Sequence, residues 1–201
     1  NIHQDQRKHN YACCIFEHIL AEKDLSPYIA GDALNDLGMS QYYLGEFDQA
    51  LALLEQARPI IEDSGGVFSV AKIYSELELV HRSVGNVDQA NMYLEKQVSL
   101  WRKLDNPEPL SMALNNLGYR YYEQGHYDLA YKTYEQGLET ITNLQYVRSE
   151  YYLHASLGDL ERDRGRFASA RDHYQRALNL ARETDPYVCS EVLASLSMLY
   201  R

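Results

Sequence analysis

Much of what marks a function is missing from this 201-residue chain. No apolar run approaches the ~18–20 residues needed to span a bilayer, and no signal peptide is visible, so no membrane association is expected. Basic residues are in deficit: 19 Lys and Arg face 29 Asp and Glu, a formal net charge of −10. A nucleic-acid binder carries a basic stripe that releases phosphate counterions, and a chain this acidic is not expected to contact nucleic acid directly. Cysteine is scarce. Cys13, Cys14 and Cys189 form no C-x-x-C and meet no paired-histidine spacing, so reduced thiols in a cytoplasmic protein and no metal site are expected.

Catalytic signatures are absent too. His3, His9, His18, His81, His126, His154 and His173 are scattered along the chain with no H-E-x-x-H. There is no G-x-S-x-G elbow and no G-x-x-x-x-G-K-[ST] phosphate loop, and Gly65-Gly66 is an isolated turn. No catalytic residue, metal ligand or cofactor is expected, and the protein is not expected to be an enzyme.

What is present is a period. Glycines recur at Gly45, Gly85, Gly125 and Gly165, alanines five residues on at Ala50, Ala90, Ala130 and Ala170, and leucines eight residues before at Leu37, Leu77, Leu117 and Leu157. Self-similarity at a fixed 40-residue spacing is the mark of a stacked array. Within each copy, apolar residues recur at three-to-four spacing, as in Leu114, Leu117, Tyr121 and then Ala130, Tyr134, Leu138, which predicts two amphipathic helices. The turns between them read GEFD (45–48), GNVD (85–88), GHYD (125–128) and GRFA (165–168). Gly supplies the left-handed residue that closes the first helix; Asp48, Asp88 and Asp128 are expected to cap the second, with Ser169 in that role in the fourth copy. Gly38, Gly118 and Gly158 fall inside first helices, where Gly costs ~1 kcal/mol against Ala. They predict a close backbone crossing with the recurrent Ala of the partner helix. Pro59 lies inside a second helix, which it should kink or shorten.

The repeats divide as 31–70, 71–110, 111–150 and 151–190. Residues 1–30 read as the second helix of an upstream repeat plus a linker, and 191–201 as the first helix of a fifth. The links DLSP (24–27), DSGG (63–66), DNPEP (105–109) and ETDP (183–186) are too short to separate domains, so one continuous array is expected. Pro27 suits a first helical turn, and Pro107 and Pro186 follow helix ends. The half-repeats suggest a piece of a longer protein, and their exposed faces are candidates for self-association.

The order L-G, Y, G, A and an aromatic resembles the tetratricopeptide repeat (TPR), the third copy best, with Leu117, Gly118, Tyr121, Gly125, Tyr127, Ala130 and Tyr134 on signature positions. The resemblance implies an all-α fold, a right-handed α-solenoid of antiparallel helix pairs. Departures are the 40-residue period in place of about 34, Leu34, Tyr74, Leu114 and His154 at the signature Trp position, Glu78 for Gly, and Gln97 where the other copies carry Ala57, Gly137 and Ala177. Repeats of this length are similar to those of kinesin light chains, Pins-type spindle adaptors and maltose-activator-type bacterial regulators. In the last group the array is a sensor arm beside an ATPase and a helix-turn-helix domain. The lone Trp101 is expected to be packed between the second and third copies.

In such arrays the first helices line a concave groove. Carried over residue by residue, the resemblance implies a binding surface of Asn35, Met39 and Tyr42; Lys72, Ser75, Leu79 and Arg82; Asn115, Tyr119 and Tyr122; and Ala155, Asp159 and Arg162. The chemistry suits an extended peptide: Asn amides pair with a backbone donor and acceptor, Tyr adds flat area, and Arg forks onto carboxylates. The family's chaperone-tail clamp is not expected, because Asn35 and Met39 stand where its first Lys and Asn belong. Charge is uneven: one basic against seven acidic residues in 31–70, six against six in 151–190. Two function classes remain: a non-catalytic scaffold holding a protein or peptide in the groove, or a small-molecule-sensing arm of a transcription regulator.

Overall fold

The computed structural model describes residues 2–182 and 186–199. Among these the chain folds into helices alone: α1 (Ile2–Leu20), α2 (Pro27–Leu44), α3 (Phe47–Ser64), α4 (Val67–Ser83), α5 (Val87–Lys103), α6 (Pro107–Glu123), α7 (Tyr127–Ile141), α8 (Val147–Asp163), α9 (Phe167–Ala181) and α10 (Pro186–Met198). The 31–70, 71–110, 111–150 and 151–190 frames each begin about one turn inside a first helix, because Pro27, Val67, Pro107 and Val147 open those helices. Pro27 and Pro107 sit in the first turn, where the missing N–H has no intrahelical partner to lose. Residues 183–185 of the ETDP link lie outside the described residues.

The turns are one motif made four times. Gly45, Gly85, Gly125 and Gly165 hold φ of 89°, 80°, 76° and 74°. In each, the next residue returns its N–H to a carbonyl five residues back: Glu46 to Gln41 at 2.9 Å, and Asn86, His126 and Arg166 to His81, Tyr121 and Glu161 at 2.8 Å. This is the Schellman closure, and it satisfies carbonyls that the helix end would otherwise orphan.

The chain separates into two compact units, Asn1–Gln97 and Val98–Arg201, with the division inside α5. In the first, Ala50, Leu54, Ala57 and Ile61 of α3 close on Ile73, Leu77 and Val80 of α4 and Tyr93 of α5. In the second, Ala130, Tyr134 and Ile141 of α7 meet Leu153, Leu157 and Leu160 of α8, while Tyr151, Ala170, Tyr174 and Ala177 join Val192 and Leu196 of α10. Each fully buried Leu, Ile or Val in these layers contributes about 1.5–3 kcal/mol of burial. Within a unit, successive helices pack side by side, and first helices also touch: α2 with α4, and α6 with α8.

Three local expectations are corrected. Asp48, Asp88 and Asp128 lie within the first turn of their helices, and the caps of α3 and α7 are Glu46 and His126, neither with a side-chain cap bond. The Asp charges act on the helix dipole instead. In α9, likewise, Arg166 stands at the cap position and Ser169 inside the helix. Pro59 does not shorten α3, which continues to Ser64. Beyond the Pro, Ile60 and Ile61 lie against Gly31 of α2, so packing holds the last turn. The helical glycines are crowded mainly by side chains, less by the alanines. A methyl on Gly118 would stand 2.6 Å from Cε1 of Tyr134, one on Gly158 2.5 Å from the Tyr174 ring, and one on Gly38 3.0 Å from Cγ of Leu54. At Gly38 the Ala50 carbonyl, at 3.2 Å, is among the nearest atoms.

Candidate functional site

In the first unit, α2 and α4 bring Asn35, Asp36, Lys72 and Glu76 together. Lys72 Nζ lies 2.9 Å from Asp36 Oδ1 and 3.9 Å from Glu76 Oε1, and Asn35 Nδ2 donates to Asp36 Oδ1 at 3.4 Å. Burial pushes the Glu76 carboxyl up to about 7, with Asp36 and Asp32 adding to the rise and Lys72 and Asn35 opposing it. Met39, Tyr42 and Leu79 are half-buried, and Met39 and Tyr42 pack on the core. Tyr42 and Ser83 hydroxyls hydrogen-bond at 3.2 Å. Ser75 is exposed, yet it donates to the Ala71 carbonyl at 3.1 Å and accepts from Gln97 Nε2 at 2.8 Å. Arg82 pairs along its own helix with Glu78 at 3.3 Å. Asn35 is not surface-lying: it is 1% exposed.

In the second unit, α6 and α8 carry a continuous polar network. Tyr122 Oη donates to Asp163 Oδ2 at 2.5 Å, Arg162 Nε to Asp163 Oδ1 at 2.8 Å, and Arg162 Nη1 to Asp159 Oδ1 at 2.9 Å. Tyr174 Oη also donates to Asp159, at 2.7 Å. Desolvation raises Asp159 above its ordinary value despite Tyr174 and Arg162; Asp163 is less buried, and Tyr122 and Arg162 hold it below its own. Tyr119, 41% exposed, lies 6.0 Å from the Tyr122 ring and carries the Arg120 guanidinium at 4.9 Å. Ala155 packs on the α9–α10 core, and Asn115 is half-buried.

One feature joins the two faces. Asn35 and Asn115 occupy the same place in their repeats, and the side-chain oxygen of each is buried with no hydrogen-bond partner among the described residues. A buried acceptor left unmade costs about 1–3 kcal/mol.

The opposite side of each unit, where second helices meet the next first helix, holds side chains that the scattered histidine count does not reveal. In the first unit Tyr74 Oη donates to Glu62 at 2.8 Å and Tyr93 Oη to Glu55 at 2.6 Å, and Arg58 bridges both acids at 3.1 and 3.0 Å. Lys96 Nζ lies over both rings, 5.3 and 5.1 Å from their centroids. In the second unit His154 and His173 take the two Tyr positions, Nδ1 to Nδ1 at 3.1 Å. One ring must donate and the other accept. Burial, with His173 and Arg176, pushes His154 down to about 4. The signal for this pair was the shared 19-residue spacing, Tyr74 to Tyr93 and His154 to His173. Trp101 is buried.

Paired helices closed by a recurrent glycine turn, with a polar face on the first helices, define an all-α helical-repeat protein. Two family models described as tetratricopeptide repeat match it, one over residues 69–143, the other over 31–63 and 155–184. The chain belongs to the tetratricopeptide repeat family, whose fold is in general a non-catalytic scaffold for protein–protein interaction. It is 27% identical over 125 residues to tetratricopeptide repeat protein 29 of Macaca fascicularis, covering 62% of this chain and 26% of that one. It thus spans about a quarter of the length of its curated relatives. Among solved structures, a putative kinesin light chain of Podosopora anserina with nearly identical TPR-like repeats superposes with TM-score 0.73 at 18% identity, over 92% of this chain and 93% of that one. A signal transduction ATPase of Pyrococcus horikoshii with a tetratricopeptide repeat sensor gives TM-score 0.79 at 18% identity, over 90% of this chain and 28% of that one. These likenesses establish the fold. No helix among the described residues is long and apolar enough to cross a membrane.

Proposed function

We propose that each unit's first-helix face holds an extended peptide segment of a protein partner, Asn115 meeting its backbone in the second unit and Asn35, which lies below the surface of the first, meeting it only once the side chains above give way. The observation that carries this is the pair of orphaned side-chain oxygens at equivalent places in the first and third repeats. A buried amide oxygen lacking a donor is matched by a peptide N–H, and the cost of leaving it bare becomes binding energy. The half-exposed Tyr119 and the Asp159–Arg162–Asp163 row would flank that backbone with flat area and charge of both signs. Met39, Tyr42, Lys72, Ser75, Leu79, Arg82 and Tyr122 belong to the same surface in this reading.

The test is to pan a displayed random-peptide library against the native chain, then titrate selected peptides into Asn35→Ala and Asn115→Ala. Removing an unsatisfied acceptor should leave thermal stability unchanged or raised while affinity falls. Peptides that bind both variants as tightly as the parent would move the site off these faces.

A second reading, the sensing arm of a larger regulator, draws support from the Pyrococcus ATPase, whose repeats are named a sensor. In that reading a small molecule, and not a peptide, is the input.

A further inference from the structure

His154 of the histidine pair lines a cavity in the second unit. About 810 Å3 of space opens between the end of α7, residues 142–146, α8 and α9, within the about 300–1,000 Å3 of ligand clefts. Four substitutions and a shortened helix set this place apart from its counterpart in the first unit. Where the first unit has Tyr74, Tyr93 and Glu62, the second has His154, His173 and Thr142, each smaller, and Leu138 replaces the bridging Arg58. The helix α7 ends at Ile141, whereas α3 runs on to Ser64, the equivalent of residue 144. The chain leaves α7 through Asn143 and Gln145 in the left-handed region, φ 67° and 53°, and both residues line the gap.

The lining is chemically divided. Leu138, Ile141 and Val147 form an apolar wall, and Thr142, Asn143 and Gln145 offer hydroxyl and amide groups. Arg176 takes the place of Lys96 but has no tyrosine faces beneath it, and it forms no ion pair with any described residue. Glu150, on the facing helix, forms none either. His154 is 5% exposed and meets the pocket as a neutral ring at physiological pH. A cation and an anion left unpaired in one cleft, beside an apolar wall, call for a ligand carrying both charges and an apolar body.

We infer that this second-unit cavity binds a free α-amino acid with an apolar side chain: Arg176 takes the carboxylate, Glu150 the ammonium, and Leu138, Ile141 and Val147 the side chain. The site is separate from the first-helix faces, so it stands or falls apart from the peptide reading, and it gives the sensing reading a ligand class.

The experiment titrates each of the twenty L-amino acids into the native chain, up to about 10 mM, by calorimetry and thermal melting. L-Leucine or a similar apolar amino acid should bind and raise Tm in a saturable way. Leucine amide and N-acetyl-leucine, each lacking one charge, should bind at least about tenfold more weakly. Arg176→Ala and Glu150→Gln should abolish binding with unchanged helical circular dichroism, since Arg176 is exposed and Glu150 only half-buried. The double variant His154→Tyr, His173→Tyr, which restores the first unit's filling, should bind nothing and melt no lower than the parent. Absence of binding by every amino acid overturns the assignment. So does binding that survives Arg176→Ala, or equal binding of the two single-charge analogues.

Discussion

Tyr74 with Tyr93 in the first unit and His154 with His173 in the second hold the same two positions of the repeat, 80 residues apart. The first pair reaches outward: each hydroxyl finds a glutamate, one arginine ties the glutamates, and a lysine covers both rings. The second pair turns inward, ring to ring, and gives up the outer space. Nothing in the backbone frame demands the difference, since the glycine turns and the buried alanines are shared. A repeat scaffold therefore fixes where helices cross and leaves the space between second helices free to be filled or opened. Four substitutions, two of them of rings, and three residues of helix length separate the two cases.

The comparison breaks most sharply at Tyr93. Tyr93→Ala removes a side chain that is 2% exposed together with the Glu55 hydrogen bond, and should cost about 3–5 kcal/mol in urea unfolding. His173→Ala, at the equivalent site, should cost less than about 1.5 kcal/mol, because this ring is smaller and only half-buried. Equal costs would mean that the two regions are packed alike.

The helical glycines give the next effect. Gly118→Ala drives a methyl to 2.6 Å from the Tyr134 ring and should cost about 1–3 kcal/mol, whereas Gly38→Ala meets Leu54 at 3.0 Å and should cost less. A Gly38→Ala variant that melts below Gly118→Ala would reverse the assignment of rigid and yielding neighbours.

The two units should also respond oppositely to acid, each by an amount on the order of 1 kcal/mol. Folding lowers His154 from 6.5 to about 4, so its contribution is present above 6.5 and is lost as pH falls toward about 4. Folding raises Glu76 from 4.5 to about 7, so its contribution is present below 4.5 and is lost as pH rises through about 7. Amide exchange compared between pH 5 and 7.5, corrected for intrinsic rates, should show α8 and α9 loosening at the lower pH and α2 and α4 tightening. His154→Phe and Glu76→Gln should each flatten the response of their own unit.

Helix pairing and turn closure were legible because a 40-residue period repeats the same backbone requirement four times, and only Gly meets φ near +80° without strain. What escaped depends on one or two residues of placement. Asp48 and Asp128 look like caps in the sequence, yet helix onset at Phe47 and Tyr127 puts them two positions past the cap. The crossing glycines are legible, but the sequence points to the alanines as their neighbours, whereas the ring of Tyr134 or Tyr174, four residues beyond each alanine, lies over the gap. The candidate face was half legible. Tyr122, Asp159 and Arg162 do assemble across α6 and α8, while Asn35 sits below the surface, held by its bond to Asp36. The histidine pair was not seen because it requires a partner on the next helix, which a motif search along one strand of sequence does not register.

The four turn glycines carry a stereochemical consequence. Each has open space where a side chain would begin, so only handedness, and not crowding, bars an L-residue there. At Gly125, D-alanine introduced by chemical ligation would meet the required torsion in its own preferred well. By narrowing the unfolded ensemble it should stabilise the chain by about 0.4–1 kcal/mol, where L-alanine should lower the melting temperature. Mirror-image residues at all four turns would then lock the repeat's phase from the backbone alone, leaving every side-chain face free to vary.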